Sequence, residues 1–171
     1  MLNVLFLCTG NSARSIMAEA LMNHLPITAG RFHAFSAGSH PRGEVDPLAL
    51  ETLAESLIPT DGLRSKNWEE FGRSDAPRVH FVFTVCDQAA AEQCPVWPGQ
   101  PMTAHWGVPD PAEVSASPQA RRRAFRNTAF TLRRRIELFA SLPFDTLTQL
   151  ALQDRIEEIG RLPPDHESLS R

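Results

Sequence analysis

The chain has 171 residues, of which 42% are hydrophobic and 22% are charged, and its formal net charge is −3, values that suit one globular domain. The slightly acidic balance argues against a general affinity for nucleic acids, and no apolar run approaches the length of a membrane span. Because the N-terminus also lacks a signal peptide, we expect a cytoplasmic protein, and three cysteines in that reducing compartment are more typical of catalysis than of disulfides.

The first predicted elements are a buried strand at residues 4–7 and a helix whose apolar periodicity starts at Ile16, joined by a small, polar, glycine-containing loop. A loop of this composition can turn its backbone N–H groups inward onto an anion, and the helix N-terminus adds its dipole at the same point. The residues predicted to bind an oxyanion are Thr9, Gly10, Asn11, Ser12, Ala13 and Arg14. The planar guanidinium of Arg14 suits two oxygens of a phosphate-like group.

Cys8 opens this loop, and we predict that its sulfur is a nucleophile held under the bound oxyanion. A helix N-terminus and a nearby cation both favour the thiolate of a cysteine over its thiol, and the hydroxyl of Ser15 is placed to donate to that thiolate. The alternative is an inert cysteine at a strand end and a solvated arginine. The spacing of five residues between Cys8 and Arg14, after a strand and before a helix, favours the nucleophile.

Further along the chain, predicted strands alternate with predicted helices. The strands are at residues 31–36, 79–85 and 102–106, and the helices begin at Pro47, with Asp46 as cap, and at residue 117. This order predicts a four-stranded parallel, doubly wound sheet flanked by helices, with the oxyanion loop at the carboxyl end of the first strand. We assign residues 1–142 to this domain. Residues 143–171 form a C-terminal extension of unknown role with one more amphipathic helix at 147–159.

The other two cysteines, Cys86 and Cys94, flank a helix-forming segment that follows the central strand. Eight residues of helix rise about 12 Å, whereas a disulfide needs Cα atoms within about 7 Å, so the two cysteines can bond only if the segment unwinds. Pro95 already disfavours helix at Cys94. If the central strand lies beside the first, Cys86 shares a sheet edge with Cys8, and a relay of thiols becomes possible.

Four short segments of the chain carry a family resemblance. They are the C-x5-R-S loop at residues 8–15, Thr84-Val85-Cys86 with Cys94-Pro95-Val96-Trp97-Pro98-Gly99, and His105-Trp106-Gly107-Val108-Pro109-Asp110-Pro111-Ala112. In order and spacing, residues 1–142 resemble the thiol-coupled arsenate reductases of the low-molecular-weight protein tyrosine phosphatase superfamily. A plain phosphatase of that superfamily is not expected to carry the cysteine pair, and it usually has aromatic residues beside the Asp-Pro, where this chain has Ala112.

The resemblance implies the reduction of arsenate to arsenite, with Cys8 as the nucleophile and Ser15 as the stabiliser of its thiolate. Arg14 and the loop amides would bind arsenate or phosphate. Asp110 would be the general acid for the leaving oxygen, although Asp-Pro is also a common turn or cap. Cys86 and Cys94 would be the resolving thiols, and their spacing is one residue longer than in the best-known members coupled to thioredoxin.

The resemblance further implies that the chain binds no cofactor and uses an external thiol reductant. Thioredoxin would reduce a disulfide between Cys86 and Cys94, whereas a glutathione-type thiol would act earlier, on the adduct of Cys8. Some members bind potassium through an aspartate and the residues that match Asn11, Glu19 and Ser36. Here Lys66 stands at the position of that aspartate, and because its ammonium would repel the ion, we expect no metal site.

Two alternative functions stay open at this point. The first is a phosphatase that hydrolyses phosphotyrosine or small phosphoesters, with the second and third thiols incidental. The second is a regulator that senses arsenite or a metal through three thiols, which would need a DNA-reading element. The basic clusters at residues 121–126 and 133–135 lie on a helix whose apolar stripe faces the core, so we interpret them as a solvated face. The cysteine spacing does not fit a zinc finger, and the histidines lack metallohydrolase spacing.

Overall fold

The computed structural model describes residues 1–164, which form one four-stranded parallel sheet with helices around it. The strands are β1 (Leu2–Leu7), β2 (Phe32–Ala37), β3 (Phe81–Thr84) and β4 (Met102–His105). The helices are α1 (Arg14–His24), α2 (Pro47–Glu55), α3 (Asp87–Ala91), α4 (Pro118–Ala140) and α5 (Gln149–Arg161). Short 3-10 helices cover residues 26–28, 68–71 and 111–113. The predicted fold, including the extra C-terminal helix, is confirmed.

The sheet has the order β2-β1-β3-β4, and its two central strands are buried on both faces. Side chains alternate along β1, so Val4 and Phe6 point to one face and Leu5 and Leu7 to the other. The first face carries the larger apolar cluster, to which α1, α4 and α5 contribute. The second face is closed by a smaller cluster around Trp68 and Trp97. Burial of both faces explains why β1 and β3 are almost continuously apolar.

The pairing of β1 with β3 brings the two loops that carry Cys8 and Cys86 to one edge of the sheet. Leu7 pairs with Thr84 in parallel register, and the N–H of Val85 still donates to the carbonyl of Leu7 at 2.9 Å. Because parallel strands end on the same side, the residues that follow β1 and β3 are neighbours. The condition that the sequence set for a thiol relay is therefore met.

Helix α5 packs against the edge strand β4 rather than standing apart from the sheet. The indole Nε1 of Trp106 donates to the carbonyl of Ile156 at 2.9 Å, and Ile156 itself is fully buried in the larger cluster. Gly160 allows this approach, since a Cβ there would overlap the carbonyl oxygen of His105. Within residues 1–164, no helix is both long and apolar enough to cross a bilayer.

One part of the basic-cluster interpretation is wrong, because Arg135 is buried rather than solvated. Its Nη1 donates to the carbonyls of Trp106 at 2.7 Å and Gly107 at 3.1 Å, and its Nη2 donates to the carbonyl of Leu162 at 3.2 Å. These carbonyls belong to the end of β4 and the end of α5. A buried cation is tolerated where several carbonyl oxygens solvate it, so Arg135 joins α4 to both elements.

Candidate active site

The predicted oxyanion loop lies between the end of β1 and the start of α1, and its backbone is shaped by Asn11. This residue is fully buried and has a positive φ of 41°, in the left-handed region that a non-glycine residue adopts at a cost. Helix α1 begins at Arg14, and no side chain within residues 1–164 caps its first turn. Its leading N–H groups therefore stay available to an anion.

Asn11 stabilises the loop with three hydrogen bonds from its side chain. Its Nδ2 donates to the hydroxyls of Ser15 at 2.9 Å and Ser36 at 3.0 Å, and its Oδ1 accepts from the N–H of Lys66 at 2.9 Å. All of these groups are buried, so the bonds are shielded from water. Ser15 Oγ thus accepts from Asn11, and its role as stabiliser of the Cys8 thiolate stays a prediction.

A second segment, residues 38–46, holds the loop from behind and was not identified from the sequence. The N–H groups of His40, Arg42 and Asp46 donate to the loop carbonyls of Thr9, Gly10 and Ser12 at 2.8 to 3.0 Å. Because these carbonyls are bound on the outer side, the loop presents N–H groups on the inner side. Gly38 lets the two segments approach, since a Cβ there would overlap the carbonyl oxygens of Cys8 and Thr9. The only signal in the sequence is that 37–41 is rich in turn-forming residues.

Cys8 and Cys86 are both buried, and their thiols lie close enough for each to shift the pKa of the other. The Cys86 sulfur accepts from the N–H groups of Thr9 and Ala89, each at 3.4 Å. These donors, with the Cys8 thiol first among them, lower the pKa of Cys86 to about 5. The hydrogen bond to Cys86 and burial both raise the pKa of Cys8, although Arg14 opposes them.

This distribution of charge differs from the sequence-based expectation of a thiolate at Cys8. Of the two thiols, Cys86 has the lowered pKa and Cys8 the raised one, because each acts on the other and two backbone N–H groups donate to the sulfur of Cys86. A helix dipole favours the thiolate here too, but the helix is α3 and the thiolate is that of Cys86, which caps the N-terminus of α3. The loop after β1 therefore supplies the anion site, and the loop after β3 supplies the more acidic thiol.

Cys94 lies outside this pair, on a segment that is less helical than its composition predicts. Helix α3 ends at Ala91, and Glu92 continues in extended geometry. Cys94 is partly buried against the smaller apolar cluster, whereas Cys86 belongs to the larger cluster on the other face of the sheet. Burial and the nearby charge of Glu92 raise the pKa of Cys94. The segment must therefore move before these two sulfurs can bond.

Arg14 and Asp110 meet at the mouth of the loop. The Arg14 Nη1 donates to the carbonyl of Val108 at 3.0 Å, and its Nη2 lies 3.5 Å from Oδ2 of Asp110. The other oxygen of Asp110 accepts from the N–H of Ala112 at 2.9 Å. Asp110 therefore uses one carboxylate oxygen to cap the turn at Ala112 and the other to contact Arg14 beside the oxyanion loop.

The ammonium of Lys66 lies among the side chains that the resemblance connects with potassium. Its Nζ is 3.7 Å from Oε1 of Glu19 and 3.5 Å from the hydroxyl of Ser36, and it donates to the carbonyl of Arg64 at 3.0 Å. Burial lowers the pKa of Lys66 and raises that of Glu19, while their attraction opposes both shifts. Within residues 1–164, no cluster of three His, Cys, Asp or Glu side chains could hold a metal ion.

Comparison with known proteins identifies relatives over most of the chain. The chain matches the model of the low molecular weight phosphotyrosine protein phosphatase family over residues 3–149. An arsenate reductase of Shouchella clausii is 32% identical over 139 residues, which cover 80% of this chain and 94% of that protein. A solved arsenate reductase in the phosphate-binding state is 27% identical with a TM-score of 0.67, covering 82% of this chain and 98% of that one. A thioredoxin-dependent arsenate reductase of Corynebacterium glutamicum is 25% identical with a TM-score of 0.53, covering 81% and 63%.

Proposed function

The chain belongs to the low molecular weight phosphotyrosine protein phosphatase family, which it shares with similar arsenate reductases, and we propose that it reduces arsenate to arsenite through a relay of Cys8, Cys86 and Cys94. The observation that carries the proposal is the pair of buried thiols beside the oxyanion loop, where the N–H of Thr9, the residue after Cys8, donates to the sulfur of Cys86 at 3.4 Å. A hydrolase needs only the first of these sulfurs. A reductase needs a second thiol that can attack the first, and Cys86 lies within reach with a depressed pKa.

In the first step, arsenate binds to the N–H groups of residues 10–13 and to Arg14, which holds two oxygens in its planar fork. The N–H of Thr9, also predicted to bind the oxyanion, donates instead to the sulfur of Cys86. Cys8 gives its proton to the neighbouring Cys86, and its sulfur attacks arsenic. A sulfur–arsenic bond forms and an arsenic–oxygen bond breaks. The departing hydroxyl takes a proton from Asp110, the general acid of this proposal, and leaves as water.

In the second step, the sulfur of Cys86 attacks the sulfur of Cys8. A disulfide forms, the sulfur–arsenic bond breaks, and its electron pair stays on arsenic, which passes from As(V) to As(III). The proton on Cys86 leaves with the arsenite oxygens. In the third step, the thiolate of Cys94 attacks Cys86, and Cys8 departs as a thiolate. One arsenate has then been reduced, and two thiols have been oxidised to the disulfide between Cys86 and Cys94.

An external thiol must reduce that disulfide to restore the enzyme. A thioredoxin-type dithiol fits a Cys86–Cys94 disulfide, and the similar arsenate reductase of Corynebacterium glutamicum is thioredoxin-dependent. A glutathione-type thiol would instead act on the Cys8 adduct, before the relay is complete. The relay consumes free thiols, which suits a cytoplasmic location. The proposal includes no bound cofactor, nucleic acid or membrane as a partner.

A second candidate function, the hydrolysis of phosphotyrosine or small phosphoesters, is supported by the contact between Arg14 and Asp110 beside Cys8. These three residues suffice for attack by sulfur and protonation of a leaving oxygen. We expect this activity to be residual, because hydrolysis makes no use of Cys86 and Cys94, which the relay requires.

Three measurements on wild-type protein and the Cys86→Ser variant test the proposal. Wild-type protein should release arsenite with a dithiol donor, and mass spectrometry after one turnover without reductant should find the disulfide between Cys86 and Cys94. The variant should lose arsenite release while it still hydrolyses p-nitrophenyl phosphate. Undiminished reduction by the variant would contradict the relay, and hydrolysis without any reduction in wild-type protein would favour the phosphatase.

A further inference from the structure

Glu92 lies between the two resolving cysteines and touches the oxyanion loop. Its Oε1 accepts a hydrogen bond of 2.8 Å from the hydroxyl of Thr9, a residue 83 positions away. Its Oε2 is 3.9 Å from Nδ1 of His40, and its side chain is only 20% exposed. This carboxylate is not used in the reaction steps above, yet it connects the segment that must move to the loop that binds the substrate.

We propose that Glu92 is a positioning residue that holds the Cys86–Cys94 segment on the oxyanion loop in the dithiol state and thereby sets how readily the disulfide forms. The inference rests on the proposed relay and adds a residue to it. Its basis is that the contact with Thr9 joins the segment between the two cysteines to the loop that binds the substrate.

The geometry of the segment explains why the contact is lost on oxidation. Cys94 packs against the cluster on one face of the sheet, and Cys86 belongs to the cluster on the other face. A disulfide requires their Cα atoms within about 7 Å, so α3 must unwind and Glu92, two residues before Cys94, must move with it. An interaction present only in the dithiol stabilises the dithiol, and its removal favours the disulfide.

A bound substrate would act on the same contact. An oxyanion held by the N–H groups of residues 10–13 places negative charge near the carboxylate that the hydroxyl of Thr9 binds, and like charges at short range repel. Substrate binding therefore weakens the Glu92–Thr9 contact. This coupling would free Cys94 at the stage of the reaction when it is needed and keep it docked when the loop is empty.

The first test measures the equilibrium between the Cys86–Cys94 dithiol and its disulfide in dithiothreitol redox buffers. Loss of one hydrogen bond to a charged group should increase the constant for disulfide formation about tenfold in Glu92→Ala, which corresponds to a potential about 30 mV more negative. The Glu92→Gln variant keeps an acceptor without the charge, so its constant for disulfide formation should lie between those of wild-type protein and Glu92→Ala. Gln93→Ala, an exposed change in the same segment, is the matched control and should match wild type.

The second test measures the rate at which iodoacetamide labels Cys94, mapped by mass spectrometry, with and without inorganic phosphate. Phosphate should increase the rate at which Cys94 is labelled in wild-type protein. In Glu92→Ala this rate should be high already without phosphate, and phosphate should not change it. A merely structural role would not produce this dependence. A potential for Glu92→Ala equal to that of wild type would overturn the inference alone, whereas wild-type protein that forms no Cys86–Cys94 disulfide would overturn the proposed relay itself.

Discussion

The pKa shifts of Cys8 and Cys86 lead to a prediction about the charge of a single sulfur. In a Cys94→Ala background, replacing Cys8 by alanine leaves Cys86 as the only cysteine and removes the first of its hydrogen-bond donors. Replacing Cys8 by serine instead keeps a hydroxyl that can donate. The two double variants, Cys8→Ala/Cys94→Ala and Cys8→Ser/Cys94→Ala, therefore differ in one donor atom.

The magnitude of the effect follows from the strength of the lost bond. A hydrogen bond to a charged group contributes about 1.5–3 kcal/mol, and one pKa unit corresponds to about 1.36 kcal/mol. The pKa of Cys86, about 5 in the intact pair, should rise by about 1–2 units in the alanine variant. It should stay below the ordinary cysteine value because the N–H groups of Thr9 and Ala89 still donate to the sulfur.

Absorbance of the thiolate at about 240 nm, followed across a pH titration, measures this pKa directly. The serine variant should titrate near 5 and the alanine variant clearly above it. Equal titration curves for the two variants would refute the role of Cys8 as donor. An ordinary cysteine pKa in both would refute the assignment of the charge to Cys86.

Three further variants test other parts of the site. Asp110→Asn should lower the rate of the arsenate-dependent step about 10²–10⁴-fold with little change in phosphate affinity, and an unchanged stopped-flow rate would place the general acid elsewhere. Lys66→Met leaves the buried Glu19 without its cation and should lower the free energy of unfolding in urea by about 3–5 kcal/mol. The double variant Lys66→Met/Glu19→Gln should recover most of that loss. An equal loss of stability in the single and double variants would contradict the pairing of Lys66 with Glu19. Gly160→Ala should push α5 away from β4 and lower stability by about 1–3 kcal/mol, whereas the exposed control Glu158→Ala should not. Equal melting temperatures for the last two would show that the close approach of Gly160 to His105 contributes nothing to stability.

The local structure of this chain could be read from short stretches of sequence. The apolar runs predicted the strands, the Asp46-Pro47 pair predicted the start of α2, and the five-residue spacing from Cys8 to Arg14 predicted the oxyanion loop. Each of these signals acts between residues that are close in sequence, through backbone geometry and burial of one face. The alternation of strands and helices then leaves few possible topologies, which is why the sheet was also predicted.

The chemistry of the site depends on contacts that no short stretch contains. Cys86 is bound by the N–H of Thr9, 77 residues away, and Glu92 by its hydroxyl, 83 residues away. Because the pKa of each thiol depends on its donors, its burial and nearby charges, the directions of the shifts at Cys8 and Cys86 could not be predicted until these groups were placed. The burial of Arg135 and the support of the loop by residues 38–46 were missed for the same reason. Sequence by itself predicted which residues form the loop, and only the tertiary structure decided which groups lie against it, because those contacts join residues far apart in the chain.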